Sequence, residues 1–113
     1  MGRTFFRTLN ASNIFVCKVC ECHLTCSQFL VSKAFTGMTG QAFLFDRVVN
    51  TRNGETRDKQ LRTGMHSICS VYCIGCDTEI GWKYEHAYSV SEKYKVKKTI
   101  LEKAHLKKLY WNN

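Results

Sequence analysis

The chain has 113 residues, the length of one small domain. Apolar residues make up 44% and charged residues 23% of it, a balance that excludes an intrinsically disordered chain. Proline is absent, which excludes a Pro-rich ligand or linker. The longest stretch without Asp, Glu, Lys or Arg, residues 63–76, is shorter than the roughly 20 apolar residues of a membrane span, so we expect no membrane association.

Neither end of the chain has the pattern of a targeting signal. Residues 1–7 contain no apolar core of a signal peptide, and Phe6 stands where an N-myristoylation motif requires Ser or Thr. Residues 110–113 contain no prenylation motif. These patterns predict an intracellular protein.

Basic charge is concentrated near the C-terminus. Seventeen Lys and Arg residues against nine Asp and Glu residues give a net charge of +8. Residues 91–113 hold seven lysines and two glutamates, a charge of +5, whereas the other residues carry +3. Such a segment predicts salt-sensitive, nonspecific contacts with nucleic acid, or simply a solvated face.

The first chemical motif in chain order is Cys17-Lys18-Val19-Cys20. Two cysteines at this spacing bind one metal ion across a tight turn, or form a redox pair. His23 follows closely and is an alternative metal ligand. Three cysteines have no partner at this spacing, and we interpret them as small buried apolar groups; they are Cys22, Cys26 and Cys69.

The middle of the chain has the composition of β-structure. Residues 42–51 are rich in aromatic and β-branched side chains, which favours a strand. Asn53-Gly54 follows and predicts a type I′ hairpin turn, with residues 56–63 as the returning strand. Residues 66–73 form a further candidate strand that leads into a second pair of cysteines.

That second pair, Cys73-Ile74-Gly75-Cys76, repeats the spacing of the first. Two such pairs supply the four thiolates of a tetrahedral Zn²⁺ site, and Gly75 suits the turn because glycine tolerates positive φ. A redox motif is less favoured, because no βαβ pattern accompanies it. We therefore predict one zinc ion held by the two pairs. Four thiolates leave no coordination position for water or substrate, so the predicted role is structural.

The two pairs are separated by 52 residues, so the ion would close a large loop rather than a small finger. Closing such a loop costs about 3.5 kcal/mol. Structural zinc contributes about 10–16 kcal/mol in finger peptides. We therefore predict that folding depends on the metal.

Residues 80–86 alternate between apolar and polar side chains. In a strand this alternation places Trp82, Tyr84 and His86 on one face, where they form a candidate groove. His66 is a further candidate for that groove. Core packing is the alternative interpretation of these side chains, and residues 97–111 are ambiguous between helix and strand.

Several stretches resemble the Yippee and Yippee-like proteins over residues 2–102. Besides the cysteine pairs and their spacing, they are Ile14-Phe15-Val16-Cys17, His23-Leu24, Ser32-Lys33-Ala34-Phe35-Thr36-Gly37, Gly40-Gln41-Ala42-Phe43-Leu44-Phe45, Val48-Val49-Asn50, Thr63-Gly64-Met65-His66 and Gly81-Trp82-Lys83-Tyr84-Glu85. The chain departs from the family pattern at Val96-Lys97, where family members have an acidic residue and a glycine. The resemblance implies a single Yippee domain over residues 1–113, with a core at about 13–104 and a basic segment at 91–113.

Yippee domains are similar to the thalidomide-binding domain of cereblon. This similarity implies a mainly β fold in which a zinc on four cysteines pins two antiparallel sheets at one apex, the β-tent. Trp82 and Tyr84 look like two walls of the aromatic cage of that domain. In cereblon, further cage tryptophans come from the segment before the second cysteine pair. The matching residues here, 64–68, contain no tryptophan, so we expect a cage that is incomplete or differently built.

The resemblance implies a non-enzymatic, zinc-stabilised protein-interaction module in the nucleus, the cytoplasm or both, as an adaptor or substrate-recognition component of a ubiquitin ligase complex. The alternative is a reader of a small molecule or modified peptide through the groove near Trp82. An enzyme is disfavoured, because no cysteine–histidine pair has a visible orienting third group. Cys69 is the candidate nucleophile in that case.

Overall fold

The computed structural model describes residues 13–110; the predictions for residues 1–7 and 111–113 lie outside them. Nine strands span this part of the chain: β1 (Asn13–Cys17), β2 (His23–Cys26), β3 (Leu30–Gly37), β4 (Gly40–Phe45), β5 (Thr51–Leu61), β6 (Gly64–Cys73), β7 (Glu79–Ala87), β8 (Thr99–Glu102) and β9 (Leu106–Tyr110). Short 3₁₀ helices cover Ser27–Phe29, Val90–Lys95 and Lys103–His105. Among residues 13–110, no helix has the length and apolar composition needed to cross a bilayer.

The strands form two antiparallel sheets, which confirms the predicted fold class. The smaller sheet has the order β2-β1-β9 and the larger one β3-β4-β8-β7-β6-β5. β9 and β3 are therefore outer strands of different sheets. β1 ends in the first cysteine pair and β6 ends in the second, so each sheet sends one strand to the metal centre.

The core lies between the sheets. Phe15 of β1 packs edge-on against Phe43 and Phe45 of β4, with ring centroids 6.2 and 5.2 Å apart. A second cluster lies within the larger sheet and includes Tyr84 and Ile100. The pairing of β7 with β8 requires a glycine, because a Cβ on Gly81 would lie 1.8 Å from the carbonyl oxygen of Ile100.

The predicted strands on either side of the second cysteine pair are confirmed, as β6 and β7. The prediction for residues 42–51 is only partly right, because β4 ends at Phe45 and β5 begins at Thr51. Between them the chain turns through Asn50, which has a φ of 58°. This turn brings the backbone to the metal centre.

The hairpin predicted at Asn53-Gly54 is wrong. Both residues lie inside β5, and the chain reverses at residues 62–63, before Gly64 with its φ of 119°. The pairing of β5 with β6 shifts between Asn53 and Thr56, so β5 carries an extra residue there. The flexible dipeptide is used for this bulge rather than for a turn, because β6 offers pairing partners along the whole of β5.

The ambiguous segment 97–111 forms two strands in the part that the structure describes, separated by the 3₁₀ helix Lys103–His105 and preceded by a turn at residues 96–97. β8 lies between β4 and β7 in the larger sheet, and β9 pairs with β1 in the smaller one. The basic segment is therefore built into both sheets up to residue 110. Trp111 lies outside the described residues.

Candidate metal centre and aromatic groove

The two cysteine pairs form turns with the same hydrogen bonds. Glu21 N donates to Cys17 O and Asp77 N donates to Cys73 O, both at 2.8 Å. The residue after each pair has positive φ, 60° at Glu21 and 63° at Asp77. The expectation that Gly75 takes this conformation is wrong, because the positive φ falls two residues later.

These turns bring four sulfur atoms together. Cys17 Sγ lies 3.6 Å from Cys76 Sγ, and Cys20 Sγ lies 3.5 Å from Cys73 Sγ. All four sulfurs lie within 4.8 Å of one another. A tetrahedral zinc with sulfurs at about 2.3 Å requires neighbouring sulfurs about 3.8 Å apart. The cluster therefore has the size and the donor set for one zinc ion, which would join the end of β1 to the end of β6.

The acidic residues at positive φ fix the turns to the sheets. Glu21 forms an ion pair with Lys107 of β9 at 2.7 Å, and Asp77 forms one with Arg52 of β5 at 2.6 Å. Asn50 connects the two turns, because its Nδ2 donates to His23 O at 2.7 Å and its carbonyl accepts from Ile74 N at 3.0 Å. The site is thus held from both sheets.

The thiols of the cluster differ in acidity. Burial raises the pKa of the Cys17, Cys20 and Cys73 thiols. Burial also acts on Cys76, but hydrogen bonds from Thr78 outweigh it and lower the pKa of this thiol to about 7. Thr78 Oγ1 lies 3.1 Å from Cys76 Sγ. Cys76 is thus the thiol that most readily loses its proton, a step that metal binding requires.

The other cysteines have different surroundings. Burial and the neighbouring thiols raise the pKa of Cys22 to about 12. Cys26 packs against Ile14 and Val16, and Cys69 is buried in β6. Among residues 13–110, the clustered metal-ligating groups include neither these cysteines nor His23.

A depression with a volume of about 530 Å³, the aromatic groove, lies on the larger sheet. Trp82 and Tyr84 of β7 line it together, with ring centroids 6.3 Å apart. Phe35 of β3 and Tyr94 add two further aromatic walls. Of the two expected outcomes, the cage is therefore the differently built one, because side chains from other segments supply its further walls.

The aromatic groove already contains a cationic side chain of this protein, Lys95. Lys95 is 2% exposed, and its Nζ lies 5.3, 5.2 and 5.9 Å from the ring centroids of Phe35, Tyr84 and Tyr94. The ammonium forms an ion pair with Glu92 at 2.5 Å and donates to Thr63 Oγ1 at 3.0 Å. Such contacts with ring faces and a carboxylate are the ones that stabilise a bound cation.

The two histidines lie elsewhere than predicted. Ile68 pairs with Tyr84, but the next residue pair is Ser67 with His86, so Glu85 is an unpaired bulge residue. The bulge moves His86 to the opposite face from Trp82 and Tyr84. His66 is on the groove side but is fully buried, with its ring 5.2 Å from that of Tyr84, so it supports the groove from behind.

Sequence reasoning missed several residues of the groove. They are Phe35, Thr63, Glu92, Tyr94 and Lys95. The only signal was indirect, because Phe35 and Thr63 lie in stretches that carry the family resemblance. Nothing in the local pattern connects the 3₁₀ helix Val90–Lys95 with β3.

Two antiparallel sheets joined at one end by a four-cysteine cluster define a small β domain with a structural metal site. The comparisons with known proteins agree with this class. The family model described as "Yippee zinc-binding/DNA-binding /Mis18, centromere assembly" matches residues 13–112. The chain belongs to this Yippee–Mis18 family of zinc-binding domains.

Relatives in plants and animals support the assignment. A yippee-like protein of Arabidopsis thaliana is 44% identical over 102 residues, which cover 90% of this chain and 84% of the relative. A yippee-like protein of Caenorhabditis elegans is 42% identical over 110 residues, which cover 96% of this chain and 68% of the relative. The crystal structure of the Mis18 "Yippee-like" domain matches with a TM-score of 0.71 at 17% identity, over 91% of this chain and 100% of that one, which supports the fold alone.

Proposed function

We propose that this chain is a non-enzymatic protein-interaction module that recognises a segment of a partner protein through the aromatic groove. The observation that carries the proposal is the groove itself: four aromatic walls around about 530 Å³, on a sheet whose end is fixed by the metal centre. In this proposal Cys17, Cys20, Cys73 and Cys76 hold one structural zinc. The folded unit is a single domain, and it acts in the nucleus, the cytoplasm or both.

The chemistry of the described residues supports a binding role over catalysis. Four thiolates around one zinc leave no open coordination position, so the metal activates no water. The candidate nucleophile Cys69 is 1% exposed, and burial raises the pKa of its thiol. A thiol in this state is a poor nucleophile.

The ligand of the groove is further restricted by Lys95. Because this ammonium fills the cation position of the groove and is itself buried, an incoming segment must lie beside it, against the surrounding rings. The indole N–H of Trp82 is also buried and has no hydrogen-bond partner among the described residues. A peptide backbone or a side-chain amide can accept a hydrogen bond from it once entry of the segment uncovers the edge of the indole.

Within this function, we propose more specifically that the chain is an adaptor or substrate-recognition part of a ubiquitin ligase assembly. The resemblance of Yippee domains to the cereblon domain, a fold-level analogy, supports it. Nonspecific contact with nucleic acid through the basic segment 91–113 is a side activity in this proposal. The family description names DNA binding, and seven lysines give this segment the charge for it.

The test is capture of partners from cell extract by wild type and by a zinc-loaded Trp82→Ala variant, with the captured proteins quantified by mass spectrometry. Tyr88→Ala is the matched control, because Tyr88 is an exposed aromatic residue outside the groove. We expect Trp82→Ala to weaken capture at least tenfold, about 1.4 kcal/mol, and Tyr88→Ala to leave it unchanged. Ubiquitin ligase subunits should be among the proteins lost. Equal capture by a folded Trp82→Ala variant would contradict the proposal.

The alternative function, a reader of a small molecule or modified peptide, is favoured by the three rings around Lys95. They show that the cage accommodates an ammonium group. An external cation must first displace Lys95, so a trimethyllysine peptide should bind Lys95→Ala more tightly than wild type. Titration followed by tryptophan fluorescence measures this difference, and equal affinities would exclude the cage as a reader site.

A further inference from the structure

A second depression, the inter-sheet cleft, opens between the two sheets and has a volume of about 390 Å³. Its floor contains Phe15 and Phe43, and its rim carries four lysines. The cleft shares no lining residue with the aromatic groove. It is therefore a separate surface, and the proposed function makes no use of it.

The rim lysines come from both sheets and carry an excess of positive charge. They are Lys33 of β3, Lys103 of the 3₁₀ helix between β8 and β9, and Lys107 and Lys108 of β9. No acidic residue lines the cleft, and Lys107 is paired outside it with Glu21. Within residues 13–110, Lys33 and Lys103 have no ion pair with a carboxylate.

The floor of the cleft is apolar, so an anionic partner must also provide an apolar group. The Nζ atoms of Lys33 and Lys108 lie 5.8 and 5.2 Å from the ring centroids of Phe43 and Phe15. An anionic group can draw these ammonium groups off the rings and so uncover an apolar surface. A cleft of about 390 Å³ is at the small end of ligand sites, with room for one large side chain.

We propose that the inter-sheet cleft, with Lys33, Lys103, Lys107 and Lys108 around Phe15 and Phe43, binds an acidic protein segment that inserts one large apolar side chain between flanking carboxylates. Charge complementarity selects the acidic residues, and the floor selects the apolar anchor. β3 and β9 are outer strands of their sheets, so an extended segment can run along either one.

Nucleic acid fits this cleft less well than an acidic segment. Bases bind to proteins without sequence preference by stacking on exposed aromatic faces. Phe15 is only 3% and Phe43 only 6% exposed, and lysine side chains lie over both rings. Even with these lysines drawn aside, a cleft of about 390 Å³ has room for one large side chain and offers no platform for a run of bases.

The test uses the zinc-loaded chain and a fluorescein-labelled peptide with one leucine between two runs of four aspartates. Fluorescence anisotropy measures its affinity, with two comparison peptides that carry alanine for leucine or asparagine for aspartate. The cleft variant is Lys33→Glu/Lys103→Glu. The control is Lys59→Glu/Lys93→Glu, which makes the same change of charge at exposed lysines outside the cleft.

We expect the cleft variant to weaken binding at least tenfold and the control variant no more than twofold. Replacing leucine or the aspartates in the peptide should also weaken binding at least tenfold. Equal losses in both variants would show nonspecific charge attraction and overturn the proposal. Equal binding of the alanine peptide would also overturn it, because the floor would then contribute nothing.

A second measurement on the wild-type protein does not depend on the stability of variants. Titration of ¹⁵N-labelled protein with the leucine peptide should shift amide signals at Lys33, Gln41 and residues 103–108. Shifts confined to residues around Trp82 and Lys95 would place the peptide in the aromatic groove and refute the cleft. Tighter binding of labelled single-stranded DNA than of the peptide, lost in the cleft variant alone, would assign the cleft to nucleic acid instead.

Discussion

Glu92→Gln tests whether the buried cation of the aromatic groove depends on its counter-ion. The Lys95 side chain is 3% exposed, and its ion pair with Glu92 is the only one it makes to a described carboxylate. Removing one partner of a buried ion pair costs about 3–5 kcal/mol, because the remaining charge is uncompensated. Glu92 keeps 16% exposure, and Thr63 and three rings still contact the ammonium. We therefore expect a loss of about 2 kcal/mol, below the fully buried range.

Thermal unfolding, followed by circular dichroism at equal zinc content, measures this loss as a fall in Tm of about 8 °C for a domain of this size. The matched control is Glu85→Gln. Glu85 pairs with Lys97 at 3.5 Å, but the Lys97 side chain is 72% exposed. Exposed pairs contribute less than about 1 kcal/mol, so the control should melt within about 4 °C of wild type.

A double variant separates the uncompensated charge from simple loss of packing. Glu92→Gln/Lys95→Met removes both charges and keeps an apolar side chain between the rings, so its stability should return to within about 1 kcal/mol of wild type. A Glu92→Gln variant that melts like wild type, or a double variant no more stable than the single one, would show that the buried ammonium does not depend on Glu92.

The same pair predicts a dependence on pH. The hydrogen bond from Lys95 lowers the pKa of Glu92 from its usual value of 4.5. A carboxyl with a lowered folded-state pKa stabilises the protein fully above the unfolded-state pKa and loses that contribution as pH falls through the folded-state pKa. The stability difference between wild type and Glu92→Gln should therefore be constant down to about pH 4.5 and shrink below it.

Three further predictions concern the metal centre and the sheets. The first concerns the three cysteines outside the cluster, Cys22, Cys26 and Cys69. With all three changed to serine, elemental analysis should still find one zinc per chain. Loss of zinc from a soluble variant would overturn the ligand assignment. Asn50→Ala should lower the free energy of unfolding, measured in urea, by about 2 kcal/mol, because it removes the hydrogen bond to His23 O and places alanine at a positive φ. Asn50→Gly should lower it by about half as much, because glycine tolerates the positive φ. Gly81→Ala should lower the free energy of unfolding by about 3 kcal/mol or more, because its Cβ would clash with Ile100 O. Gly54→Ala should lower it by less than about 1 kcal/mol, because the nearest neighbour of its Cβ would be a Tyr72 side-chain atom at 3.3 Å. Equal unfolding midpoints for the two variants would contradict this.

Features set by local sequence were predictable. The shared spacing of Cys17-Cys20 and Cys73-Cys76 predicts a four-thiolate zinc site. The arrangement of the sheets was predicted from the family resemblance. The alternation in residues 80–86 correctly predicted a strand. The cysteine spacing and the alternation depend on residues a few positions apart, so these two predictions needed no knowledge of the tertiary structure.

Features set by strand pairing were not predictable. The bulge at Glu85 depends on how β7 pairs with β6, and it reverses the side on which His86 lies. Asn53-Gly54 is a strong local turn signal, but pairing along the whole of β5 outweighs it. Lys95 reaches Phe35 only because the 3₁₀ helix Val90–Lys95 packs beside β3, a contact between residues 60 positions apart in the chain.

X-ray absorption at the zinc edge tests the claim that one zinc on four cysteines joins the two sheets. On the purified full chain, with zinc content measured on the same sample, we expect one zinc per chain surrounded by four sulfur atoms at about 2.3 Å. A nitrogen or oxygen ligand in place of one sulfur, or more than one zinc per chain, would contradict the claim.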